Sequence, residues 1–172
     1  MNILKNTKSV KKNFIMNTIL TLSSFIFPLI TFPYVSRILL PEGTGRVSFA
    51  TSVVSYFLML SQLGIPTYGI RACAKVRDDR RKLSRVVHEL MAINLVMSLL
   101  SYLALGIFVF AIPRLRAQSS LIFIISLTIL LNAVGMEWLY KALEQYTYIT
   151  IRSVIFKAIA VVAMLLLIRQ QS

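Results

Sequence analysis

Four long stretches without a charged residue constrain this chain more than any other feature. They cover Asn13–Ser36, Val47–Ile70, Leu90–Pro113 and Ala117–Met136, which are 24, 24, 24 and 20 residues long. An α-helix needs about 20 mostly apolar residues to cross the hydrocarbon core of a bilayer. Because lipid offers no hydrogen-bond partners to the backbone, such segments cross as helices. The pattern predicts an all-α fold, a polytopic transmembrane helical bundle.

A fifth apolar segment follows, and it contains a charge. Only 11 uncharged residues separate Lys157 from Arg169, so a full span must begin earlier and accommodate a basic side chain. A lysine near a helix end can extend its ammonium group to the headgroups. We therefore predict five spans in one transmembrane domain covering residues 1–172. The spans are 14–36, 47–68, 88–112, 119–140 and 150–168.

Composition supports a membrane environment and excludes several kinds of site. The chain is 57% hydrophobic, whereas soluble domains are about 45–50% apolar. One cysteine, Cys73, and one histidine, His88, cannot form a disulfide framework, a cysteine-cluster metal site or a multi-histidine metal site. We expect neither a metal nor a cofactor. The net charge of +13 lies between the apolar runs, which favours contact with membrane lipids over nucleic acid.

The distribution of basic residues predicts the orientation. If the N-terminus is cytoplasmic, 14 of the 19 Lys and Arg residues fall on the cytoplasmic side and 5 on the outer side. Basic residues concentrate in short cytoplasmic loops of bacterial inner-membrane proteins. The prediction is a multi-pass inner-membrane protein with a cytoplasmic N-terminus.

Polar residues recur at helical spacing inside the apolar runs. Asn17, Asn94 and Asn132 are the amides of three such stripes, and hydroxyl or small residues continue each stripe one turn away. Two interpretations stay open. Small and hydroxyl residues allow close helix packing, in which each bond across helices contributes about 0.6–2 kcal/mol. Alternatively, stripes on several helices line a hydrated cavity.

Four charged residues at or within the spans are further candidates for a substrate path: Arg37, Arg71, Glu137 and Lys157. Each has a structural alternative, since Arg and Lys extend towards headgroups and Glu137 can pair with Lys141 at i, i+4. Their functional role would be to hold an anionic group or couple to a cation. No set of residues suits catalysis, so we expect no enzyme.

Three blocks of sequence resemble a known family. They are Thr31–Gly45, Leu63–Arg71 with Ala74–Asp79, and Glu137–Arg152. In this order and spacing they are similar to the polysaccharide flippases. These are the O-antigen and capsule-unit exporters of the multidrug/oligosaccharidyl-lipid/polysaccharide exporter superfamily. One departure is Leu40, where the family often has glycine before the proline.

The resemblance implies two bundles of six helices with a central cavity, so this chain is expected to be an incomplete N-terminal bundle. It implies translocation of undecaprenyl-pyrophosphate-linked O-antigen or polysaccharide repeat units, with the fragment inactive alone. The implied partners are the lipid-linked oligosaccharide, the missing C-terminal part of the transporter and other polysaccharide assembly proteins. A membrane-bound glycan polymerase or ligase, or a multidrug efflux relative of the superfamily, are the alternatives.

Overall fold

The computed structural model describes the backbone from Ile3 to Leu167 and the side chains from Val10 to Leu166. All regular structure in this part of the chain is helical. The helices are α1 (Ile3–Gln62), α2 (Ile65–Lys75), α3 (Arg80–Ala111), α4 (Pro113–Arg116), α5 (Ser119–Gly135), α6 (Glu137–Ala142) and α7 (Tyr146–Leu167). The last predicted span residue, 168, lies outside the described residues, as do the side chains of Lys5 and Lys8.

Helix α1 contains the first predicted span and residues 47–62 of the second, and it is broken between them. Its 60 residues would extend about 90 Å as one helix, about three times the hydrocarbon thickness. Leu40, with φ 58° and ψ 171°, is non-helical and divides α1 into segments 3–39 and 41–62. Pro41 follows, and it cannot donate a backbone hydrogen bond. The chain can therefore cross a membrane once with each segment.

Two compact units make up the chain, and the first combines segments that are far apart in the sequence. This unit comprises residues 1–41 and 144–172, that is, the first segment of α1 together with α7. The Thr150 hydroxyl donates to the carbonyl oxygen of Met16 at 2.9 Å, and the Lys157 amine reaches Ser23 at 2.9 Å. Since both contacts advance by seven residues along both helices, α7 runs parallel to the first segment of α1.

The second unit, residues 42–143, is an up-down-up arrangement of the second α1 segment, α3 and α5. Phe57 meets Phe108 edge to face at 5.8 Å between ring centres, and the Arg114 guanidinium lies 5.6 Å from the centre of the Phe49 ring. These pairs place the second α1 segment antiparallel to α3 and to the short α4 that follows it. At the core of the unit are apolar side chains from α1, α3, α4 and α5: Ala50, Val54, Leu105, Val109, Leu115, Ile122 and Ile129.

Short helices α2 and α6 cap one end of this second unit. Helix α5 ends at Gly135, and Met136 adopts a left-handed conformation with φ 43° before α6 begins. The predicted fourth span, 119–140, includes α5 and the start of α6, and the stretch Ser119–Ala142 is long and apolar enough to cross a membrane despite the turn at Met136. Asp79 caps the N-terminus of α3 by accepting from the backbone N–H groups of Arg81 and Lys82. These hydrogen bonds and Lys82 lower the pKa of Asp79, which lies in the exposed loop before α3.

Burial is inverted relative to a soluble protein. Among the described residues the buried set includes seven polar side chains: Ser23, Ser61, Asn94, Ser98, Ser101, Ser126 and Thr150. Large apolar side chains point outwards instead, with Phe14, Leu29 and Leu131 each 71% exposed. Large outward apolar faces on every long helix suit lipid, and polar side chains hydrogen-bond between helices.

Helical stretches long and apolar enough to cross a membrane are Val10–Lys75, Arg80–Ala111, Ser119–Ala142 and Tyr146–Leu166. The first of them contains the two segments of α1, each with its own charge-free run. The predicted fold class, an all-α polytopic membrane bundle, is confirmed.

Candidate functional site

Lys157 is the only lysine or arginine near the middle of a long apolar helix in the described part of the chain. It is the twelfth residue of α7, about 16 Å from the helix start, and so close to the midplane of a bilayer about 30 Å thick. Its side chain is half-buried. A charge at this depth is costly unless it finds partners.

The partners of Lys157 are two adjacent hydroxyls on α1. The Nζ atom donates to Ser23 Oγ at 2.9 Å and to Ser24 Oγ at 3.0 Å, and it lies 6.0 Å from the centre of the Phe27 ring. Both serines also donate to the Leu20 carbonyl, at 2.7 and 3.1 Å, which leaves their oxygens facing the lysine. No carboxylate in the described residues pairs with this amine. The ammonium charge is therefore solvated by neutral groups and remains available to an anion.

Asn17 lies on the same segment of α1 as the serines. Its side chain is exposed, and its backbone carbonyl accepts from the Thr21 hydroxyl at 2.9 Å. The neighbouring Met16 carbonyl accepts from Thr150. Asn17 and Lys157 thus both belong to the first unit. Lys157 contacts Ser24, which lies on the same polar stripe of α1 as Asn17.

The amides of the second unit form a separate polar patch. Gln62 Nε2 donates to Asn132 Oδ1 at 2.8 Å, linking α1 to α5. Asn94 is buried on α3 and donates to the Ala133 carbonyl at 3.4 Å. Through the adjacent residues Asn132 and Ala133, α5 is thus hydrogen-bonded to both α1 and α3, near the ends of α1 and α5.

Buried hydroxyls extend this patch along α3. Ser101 donates to the Phe57 carbonyl, which joins α3 to α1. Ser98, one turn before Ser101, is 1% exposed, and its hydroxyl has no partner among the described residues. At least Asn94, Asn132 and Ser101 therefore serve helix packing, the structural interpretation of the stripes.

The other three charged candidates have exposed side chains. Arg37 is exposed near the end of the first α1 segment, and Arg71 is exposed on α2. Glu137 opens α6 and pairs with Lys141 at 2.8 Å, the i, i+4 partner expected from the sequence. Arg71 and Glu137 belong to the second unit. Whether any of the seven candidate residues contacts a substrate remains a prediction.

The sequence alone did not single out Ser23 or Gln62 as a residue that connects two helices. Ser23 is 6% exposed, although it stands off the polar stripe of α1. A usable signal was present, because a lysine inside an apolar helix requires polar partners on a neighbouring helix. Ser23 and Ser24 are the one adjacent hydroxyl pair in the first predicted span.

The fold and these contacts define a multi-pass membrane protein whose long helices contact one another through polar side chains and carry apolar outer faces. Residues 10–171 match the model of the polysaccharide biosynthesis protein family. The chain belongs to this family.

Two curated relatives are transport proteins by name. The "putative O-antigen transporter" of Escherichia coli (strain K12) is 23% identical over 150 residues, which is 87% of this chain and 36% of that protein. The "succinoglycan biosynthesis transport protein ExoT" of Rhizobium meliloti (strain 1021) is 32% identical over 108 residues, 63% of this chain and 20% of that protein. The chain thus spans about a third or less of the relatives it matches. No solved structure matches it significantly.

Proposed function

We propose that the chain is the N-terminal part of a transporter that carries undecaprenyl-pyrophosphate-linked polysaccharide repeat units across a bacterial inner membrane. The observation that carries the proposal is the family match over residues 10–171, together with two relatives that are named as transport proteins. The N-terminus is assigned to the cytoplasm because 13 of the 18 Lys and Arg residues other than Lys157 then lie on the cytoplasmic side. The relatives' names favour transport over a glycan polymerase or ligase.

The physical task explains why a protein is needed. A pyrophosphate and several sugars carry charges and hydroxyls that would lose their hydration across about 30 Å of hydrocarbon. Neutral hydrogen-bonding groups can replace water around the sugars, and a fixed cation can offset the pyrophosphate charge. Alternating exposure of such a site to the two sides would complete translocation without a bond being made or broken.

Lys157 is the residue that we assign to the pyrophosphate. It supplies a positive charge near the midplane, and Ser23 and Ser24 hold it without neutralising it. A hydrogen bond to a charged group contributes about 1.5–3 kcal/mol. Arg37, which is exposed, is assigned to the same anion at another stage of transport, and the exposed amide of Asn17 to the sugars.

The test is made in the host cell with the intact gene. Deletion should abolish surface polysaccharide and leave lipid-linked repeat units accumulated in the membrane. Complementation with Lys157→Met should restore transport about 10- to 100-fold less well than the wild-type gene, as expected for one lost charged hydrogen bond. Lys157→Arg should restore most of it.

Controls separate loss of transport from loss of protein. Lys12→Gln removes an exposed charge from the same α1 segment and should complement fully. Membrane abundance of each variant is measured by immunoblot. Normal surface polysaccharide after deletion, with no second copy of the gene, would refute the function. Full activity of Lys157→Met would refute only the assignment of that residue.

A further inference from the structure

One end of the second unit carries a platform built from three short pieces of helix. Helix α2, the first turns of α3 and helix α6 meet around buried side chains, which are Ile65, Cys73, Leu90, Trp138 and Ala142. Gly69 lies directly against the Trp138 ring. These contacts fix the outer faces of α2 and α3 relative to each other within the unit.

The outer face of this platform is strongly basic. Residues 71–89 contain seven Lys or Arg and three Asp or Glu. Five of the basic side chains are exposed and have no carboxylate partner in the described part of the chain: Arg71, Lys75, Arg80, Arg81 and Arg85. We call these five the basic platform. Lys82 differs, because it pairs with Asp79 at 3.3 Å.

The length of α3 places this charge within the headgroup layer and just outside it. Its 32 residues extend about 48 Å, but the charge-free run begins only at Leu90. Arg80–Glu89 therefore protrude about 15 Å beyond the hydrocarbon core, whereas the headgroup layer on each side of a bilayer of about 40–45 Å is only about 5–8 Å thick. Arg85 lies within that layer, and Arg81 lies just outside it, where a long side chain can extend back towards the phosphates. Arg81 and Arg85 are four residues apart and lie on one face of the helix.

We propose that the basic platform binds the headgroups of anionic phospholipids. The charge is complementary, Arg85 lies at the depth of the phosphates with Arg81 one turn beyond it, and the underlying packing holds several cations in fixed positions. Each Lys or Arg near an anionic surface contributes about 1 kcal/mol, or about five-fold in affinity. This site shares no residue with the Lys157 contacts, and it does not depend on which substrate the protein transports.

The test titrates the whole chain, in an uncharged detergent, with phosphatidylglycerol or phosphatidylcholine and counts bound lipid by native mass spectrometry. Phosphatidylglycerol should bind more tightly than phosphatidylcholine. Arg81→Gln/Arg85→Gln should weaken that binding about 30-fold, the product of about five-fold for each charge. Arg81→Lys/Arg85→Lys should keep it within a few-fold. Emission from Trp138, the only tryptophan, reports whether the platform stays folded in each variant.

A matched pair elsewhere in the chain supplies the control. Arg114 and Arg116 are exposed on α4, at the opposite end of α3. Arg114→Gln/Arg116→Gln removes the same charge and should leave the tightest phosphatidylglycerol binding unchanged. Equal loss in both double variants would show an effect of net charge alone and would overturn the proposal. So would equal binding of the two lipids, or binding of an acidic peptide such as polyglutamate in preference to phosphatidylglycerol.

Discussion

At the scale of single residues, Gly69 on α2 lies directly against the ring of Trp138 on α6. A Cβ added at Gly69 would lie 2.6 Å from Trp138 Cε3, closer than any carbon contact allows. We expect Gly69→Ala to lower the free energy of unfolding by about 1–3 kcal/mol, the usual range for overpacking. Thermal unfolding in detergent measures this change, and the emission of Trp138 should shift as its ring is displaced.

Gly106→Ala is the matched control for Gly69→Ala. Gly106 is also helical, on α3, but a Cβ added there meets no atom within 4 Å. Alanine should therefore stabilise this position by up to about 1 kcal/mol through helix propensity. Equal changes in stability for the two variants would contradict the contact with Trp138.

At the scale of helices, the break in α1 occurs at a residue poorly suited to it. Leu40 has φ 58° and ψ 171°, a conformation that costs a non-glycine residue about 1–3 kcal/mol. Its side chain is exposed, so little packing is lost on substitution. Leu40→Gly should raise the free energy of unfolding by about 1–2 kcal/mol, after the entropy that glycine adds to the unfolded chain. Chemical denaturation in mixed micelles measures this change.

The neighbouring Leu39 is the control for Leu40→Gly. It is likewise exposed but helical, and Leu39→Gly should destabilise α1 by about 1 kcal/mol. A loss of stability in both variants would mean that the chain does not need a positive φ at Leu40.

Charge-free length was enough to predict the long helices, because lipid leaves the backbone no other way to pair its polar groups. It did not predict that α5 stops at Gly135, since Met136 carries no charge to mark the turn. The Glu137–Lys141 pair followed from local spacing. The contact of Lys157 with Ser23 did not, because 134 residues separate the two, and such a pairing depends on how whole helices associate.

At the scale of the whole molecule, the parallel course of α7 and the first α1 segment is a constraint on topology. Parallel neighbours in a membrane are separated by an odd number of crossings. If the second α1 segment, α3 and α5 each cross once, they supply three, which is compatible with the predicted five spans. The helix directions and the sequence spacing thus support the same path through the bilayer.

Residues 1–172 alone should insert into membranes without moving lipid-linked sugars, if the proposed function holds. A polar substrate must be enclosed by polar groups on all sides, yet Asn17, Arg37 and Asn132 are exposed beside large apolar faces. The chain also covers only 36% of its Escherichia coli relative. Vesicles containing the purified chain and a fluorescent lipid-linked oligosaccharide are treated with an impermeant quencher, and empty vesicles set the background. The fraction of labelled lipid protected from the quencher should match that background. Faster exchange between leaflets would show that these helices already form a complete path, provided that the vesicles retain an enclosed dye.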